Sequence, residues 1–155
     1  MADTMRDKLN EALKEAMRSK DQRAISTLRL ILAALKDRDI ASRGKSADGR
    51  ITDDEILQML QSMVKQREDS IAMYEQGGRL ELAEQEQAEI DVIRRFLPTQ
   101  MSEDEMQSAV DETVAELGAD SLKEMGKVMA ALRSRYAGRM DFSKASGLVK
   151  KKLGG

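Results

Sequence analysis

The sequence predicts an all-α protein: an N-terminal four-helix domain followed by a three-helix tail domain. Three observations carry this. Apolar residues recur at helical spacing along almost the whole chain. Residues that disfavour helices are scarce, with one proline in 155 residues, 3% aromatics and few β-branched side chains. Finally, a Ser or Thr is followed three positions later by Glu at Thr52/Glu55, Ser102/Glu105 and Ser121/Glu124. At that spacing a hydroxyl and a carboxylate satisfy orphan backbone N–H groups at a helix start.

The elements follow in order. Leu9, Leu13, Ala16 and Met17 form the stripe of a first helix. Residues 25–35, ISTLRLILAAL, are apolar nearly all round, which predicts a second helix buried at the centre. SRGKSADGR, 42–50, reads as a loop. Thr52 opens a third helix with the stripe Ile56, Leu60, Met63, Val64 and Ile71, and Gly77-Gly78 ends it. Leu82, Ala83, Ile90, Ile93 and Leu97 mark a fourth. Pro98-Thr99-Gln100 then breaks the chain, which gives domains of 1–97 and 98–155. In the tail, Ser102 opens a helix that Gly118 stops, and Ser121 opens one that runs to about Gly138. Phe142, Ala145, Leu148 and Val149 mark the last.

Composition removes several function classes. The chain has no histidine and no cysteine, so imidazole and thiolate metal sites and the Ser-His-Asp and Cys-His triads are excluded. No catalytic residue, metal site or cofactor is expected. Glu84, Glu86, Glu89 and Asp91 cluster in sequence but read as a solvated face. The methionines, Met101, Met106, Met125, Met129 and Met140 among them, read as core at their helical spacing. Lys65, Arg67 and Arg79 fit either salt bridges at the helix turn or a basic surface. The N-terminus lacks the apolar run of a signal peptide, and no segment is apolar enough for a membrane span. A cytoplasmic protein without membrane contact is the expectation.

The formal net charge of −2 hides a segregation. Residues 98–122 carry seven acids and no base, whereas 123–155 carry nine bases and two acids. Residues 6–45 are also basic, with eleven bases and six acids. A basic end on an acidic protein is the footprint of a polyanion partner, although the acidic and basic tail helices could equally pair with each other.

The segment KEMGKVMAALRSRYAGRMD, 123–141, holds the candidate site. On a helical wheel Leu122, Met125, Val128, Met129, Leu132 and Tyr136 make the core side. Gly126, Ala130, Ser134 and Ala137 line another side, with Lys127 and Lys123 beside them. Glycine inside a helix costs about 1 kcal/mol against alanine, so such a stripe suits close approach of another backbone. A neighbouring helix and a sugar-phosphate chain both fit. In the second case the close-approach positions are Gly126, Ala130 and Ser134, and the phosphate-binding cations are Lys127, Arg133, Arg135, Arg139, Lys144 and Lys151.

MGKVMAALRSRYAGRMDFSKASGLVKKKL resembles the tail domain of the GatB/YqeY family. LKEAMRSKDQRAISTLRLILAALK, MVKQREDSI and GGRLELAEQEQAEIDVIRRFLP resemble, in that order, the family's free-standing YqeY-like members. The resemblance implies an all-α fold with a three-helix tail. In the B subunit of glutamine-dependent tRNA amidotransferases that tail helps to hold tRNA. It also brings the label of a carbon–nitrogen ligase with glutamine as amido-N-donor. This chain departs from the amidotransferase: about 97 residues stand where a large catalytic cradle would be, no G-x-x-x-x-G-K-[ST] loop occurs, and the bulky Phe142 follows Asp141. The expected function is therefore binding of tRNA or another structured RNA by the basic tail, without catalysis. A translation or aminoacylation protein is a further class of partner. The alternatives are a helical protein-interaction module with an internally paired or acid-binding tail, and a component of glutamine-dependent tRNA amidation.

Overall fold

In a computed structural model, which describes residues 4–154, seven α-helices and one 3₁₀ turn form the chain and no strand is present among the described residues. The helices are α1 (Met5–Ser19), α2 (Gln22–Ser42), α3 (Asp53–Gln76), α4 (Leu80–Arg94), α5 (Glu103–Leu117), α6 (Met125–Arg135) and α7 (Phe142–Gly154). They group into two compact units, Met1–Leu97 and Pro98–Gly155.

The first unit buries Leu9 of α1, Ile31 of α2, Ile56 and Leu60 of α3, and Ile90 and Ile93 of α4 completely. Each such side chain contributes about 1.5–3 kcal/mol relative to exposure. Three of the four helix starts of this unit are closed by side chains, and α4 has no such cap. Thr4 with Asp7 and Thr52 with Glu55 form capping boxes, and Asp21 caps α2. Lys20 adopts the left-handed conformation (φ 59°) between α1 and α2, a turn made without glycine or proline.

Two polar clamps fix this unit. Arg6 donates to both oxygens of Asp39 at 2.6 and 2.7 Å and to the Ile51 carbonyl at 3.0 Å, and the Ile51 N–H donates back to Asp39. The first turn of α1, the last turns of α2 and the entry to α3 are thereby tied together. Arg67 of α3 bridges to α4, with Nε 2.9 Å from Glu89 and 3.9 Å from Glu86. The solvated face expected for Glu84, Glu86, Glu89 and Asp91 holds for the exposed Glu84 and Asp91 and is corrected for the other two. Glu86 and Glu89 are half-buried against Arg67, and burial pushes the Glu86 carboxyl up with the neighbouring Glu89 adding to it. Arg79 pairs with Glu81 at the start of α4.

α2 is not buried all round as its composition suggests. Ala24, Ile25, Leu28, Ile31 and Leu35 face the core, while Leu30 and Ile40 remain about half exposed. Met17, assigned to the α1 stripe, is likewise exposed.

The second unit packs Met106, Val110 and Val114 of α5 against Val128, Met129 and Leu132 of α6, Met140, and Ala145, Val149 and Leu153 of α7. Ser102 and Glu105 form the expected box, and Gly118 ends α5 at φ 63°. The third box does not form. Glu124 turns to accept from the Asp120 N–H at 2.8 Å, so Ser121 opens a 3₁₀ turn, Leu122–Glu124, and α6 begins at Met125. Leu122, placed on the core side by the wheel, is therefore about half exposed. The chain around Gly138 (φ 78°) is latched to the entry of α5. The Met101 N–H donates to the Arg139 carbonyl at 2.9 Å, and Gln100 Nε2 donates to the Gly138 carbonyl at 2.6 Å.

Candidate nucleic-acid interface

α6 explains how the tail sorts its side chains. Its core side, Val128, Met129 and Leu132, turns toward α5 and α7. The opposite side carries Gly126, Lys127, Ala130 and Ser134, all exposed. A β-carbon on Gly126 would meet nothing within 4 Å. Within its own unit no described helix packs on this stripe, so close packing inside the tail does not account for the glycine. Among the described residues Lys127 makes no ion pair.

The two arginines at the end of α6 stand on its flanks and turn to opposite neighbours. Arg135 reaches α5: Nη2 lies 2.6 Å from Glu116, and Nη1 donates to the buried Thr113 hydroxyl at 3.4 Å. Arg133 reaches α7 and lies over the Phe142 ring, 5.9 Å from its centroid. Tyr136 and Phe142 are half-buried against the apolar core.

The remaining cations of the candidate set are dispersed. Arg139 follows α6, and its Nε donates to the Thr99 carbonyl at 3.1 Å. It lines a cleft of about 370 Å³ shared with Tyr136 and three carboxylates, Asp104, Glu105 and Glu112. The Glu105 carboxyl is held below its ordinary value by hydrogen bonds from the Ser102 backbone and hydroxyl, with the Arg139 charge adding to them. Lys144, on the first turn of α7, is 3.7 Å from Glu103. Lys151 is exposed on the last turn and has no ion pair among the described residues.

A pattern emerges that charge counting could not resolve. The acids of α5 hold tail cations at three points, Glu116 with Arg135, Asp111 with Lys152 and Glu103 with Lys144. Part of the charge segregation is therefore satisfied inside the unit. The stripe and Lys127 remain together and open. Arg133, Arg135, Arg139 and Lys144 are engaged elsewhere, and Lys151 stands on a different helix. Sequence reasoning passed over Gly147, an exposed helix glycine of α7 that, like Gly126, has nothing within 4 Å of a β-carbon position. Its signal was its place one turn before Lys150 and Lys151.

Among the described residues no group of three or more carboxylates is placed to hold a metal ion, and no helix is long and apolar enough to cross a membrane.

Comparison with known proteins places this geometry in context. A family model described as Yqey-like protein matches residues 6–153. The altered inheritance of mitochondria protein 41, mitochondrial, of Saccharomyces cerevisiae is 33% identical over 111 residues, covering 72% of this chain and 56% of the yeast protein. The chain thus spans little more than half the length of that relative. The protein of the same name from Pyrenophora tritici-repentis is 31% identical over 133 residues, 83% of this chain and 71% of its own length. An uncharacterized protein of Schizosaccharomyces pombe is 31% identical over 94 residues, 61% of this chain and 72% of its own. The expectation of a cytoplasmic protein is corrected by these names, which designate the relatives as mitochondrial. The missing apolar run argued against a secretory signal alone, because mitochondrial targeting segments are amphipathic rather than apolar.

Proposed function

The chain belongs to the Yqey-like protein family, and from that premise we propose that it binds structured RNA, tRNA foremost, through the exposed cationic side of its tail. The observation that carries this is the open Gly126–Ala130–Ser134 stripe beside the unpaired Lys127. Gly126 stands in the first turn of α6, where glycine still costs some helix stability relative to alanine, and the tail offers no packing in return. A phosphodiester chain is an occupant that uses both the small side chains and the adjacent charge. The protein then acts by holding and positioning RNA, with no reaction of its own. The half-buried aromatic rings are poorly placed to stack bases, so recognition rests on shape and charge.

A second reading has its own support. The three ion pairs between α5 and the other tail helices favour a protein-interaction module whose tail is internally neutralised. Titration with labelled tRNAs, mitochondrial ones included because the relatives are mitochondrial proteins, decides between the two. On the RNA reading Lys127→Glu weakens binding and flattens its salt dependence. Ala130→Gln weakens binding by blocking close approach and leaves the salt dependence nearly unchanged. If both variants bind tRNA as the unchanged protein does, the stripe is not the site; if the unchanged protein shows no saturable tRNA binding, the protein-interaction reading replaces the RNA reading.

A further inference from the structure

Resting on the RNA-binding reading of the tail, we infer that the phosphates sit on a lysine cluster formed by Lys123, Lys127, Lys150 and Lys151, where α7 finishes against the start of α6. The cations at the other end of these helices serve the fold. Lys123 and Lys150 thereby join the site, and Arg135 and Lys144 leave it.

The ion pairs sort the cations first. Arg135 is held by Glu116 at 2.6 Å, Lys152 by Asp111 at 3.4 Å and Lys144 by Glu103 at 3.7 Å. Arg133 covers Phe142, and Arg139 is bonded to the Thr99 carbonyl. Lys123, Lys127, Lys150 and Lys151 are exposed and have no such partner among the described residues.

The packing then brings these four to one end. Leu122 lies against Gly154, with its side-chain carbons 3.7 Å from a β-carbon position there. Arg133 meets Phe142 at the opposite end of the same two helices. α6 and α7 therefore run antiparallel. Lys123 directly follows Leu122, and Lys150 precedes Gly154 by one helical turn, so both stand at this end of the helix pair. Glu124, the acid nearest in sequence, is turned onto the Asp120 N–H.

Helix electrostatics separate this cluster from an ordinary solvated surface. Cations on the last turn of α7 are favoured by the helix dipole. Lys123 and Lys127 stand at the opposite kind of terminus, the start of α6, where the dipole disfavours positive charge. With no carboxylate on them, a bound anion offsets that cost. An ammonium group on a flexible stem also accepts phosphates at varied spacing, which fits recognition of an RNA backbone by charge and shape.

Two matched triple variants of the full chain test this. One carries Lys123→Gln, Lys127→Gln and Lys150→Gln; the other carries Arg135→Gln, Lys144→Gln and Lys152→Gln. Each is titrated with labelled tRNA over a range of salt concentrations, with helical content and urea unfolding recorded alongside. The lysine variant is expected to lose about tenfold or more in affinity at low salt, and its slope of log K against log[salt] should shrink by about two. The second variant should keep most of the slope. A lysine-to-arginine triple at the first three positions should restore binding, which separates loss of charge from loss of fold. Equal or greater loss of slope in the second variant overturns the assignment while RNA binding itself stands. Absence of saturable binding by the unchanged protein overturns the RNA-binding reading and this assignment with it.

Discussion

Arg6 grips Asp39 with both arms, at 2.6 and 2.7 Å, and Asp39 also accepts from the Ile51 N–H. Both side chains are largely shielded, with about a fifth of their surface exposed. The Arg6 guanidinium is the main cause that holds the Asp39 carboxyl below its ordinary value. A depressed carboxyl contributes stability above its unfolded-state value, and that contribution is lost as pH falls through the folded one. Asp39→Asn should therefore destabilise the first unit by about 2 kcal/mol at neutral pH. It should also remove part of the stability loss seen on acidification below the usual carboxylate range. Urea unfolding across pH measures both, and an unchanged acid limb would refute the role given to the pair.

Gly126 permits a test of the open stripe. A β-carbon there meets nothing within 4 Å, and no positive φ requires glycine. Gly126→Ala should stabilise the tail by about 0.5–1 kcal/mol, partly by restricting the unfolded chain. Destabilisation in urea would mean that another backbone already occupies the stripe in solution.

Thr27 offers an independent check on the packing of α2. It is fully buried, and its hydroxyl has no hydrogen-bond partner among the described residues. Thr27→Val keeps the shape and removes an unsatisfied oxygen, so stability should rise by about 1 kcal/mol. A loss of similar size would identify a partner for that hydroxyl.

The helices were legible because their signals are local. Thr52 with Glu55, Ser102 with Glu105 and Gly118 act within one turn of themselves, and each behaves as its spacing indicates. Ser121 with Glu124 has the same spacing and fails because the Asp120 N–H competes for the carboxylate. The burial of α2 was overestimated for a related reason. An apolar composition shows which faces could be covered, and Leu30 and Ile40 face no neighbour that covers them. The candidate site was half legible. Helical spacing sufficed to bring Gly126, Lys127, Ala130 and Ser134 together on one side. The engagement of Arg135 by Glu116 and of Arg139 by Thr99 depends on how helices and loops pack, which a charge count along the chain does not contain.

The salt dependence of tRNA binding by the full chain tests the central claim most directly. Neutralising about four phosphates releases their counterions, so log K should fall against log[salt] with a slope of roughly −3. Saturable binding at low salt with a slope of that size is the predicted result. No saturable binding at low salt, or an affinity indifferent to salt, would contradict the account.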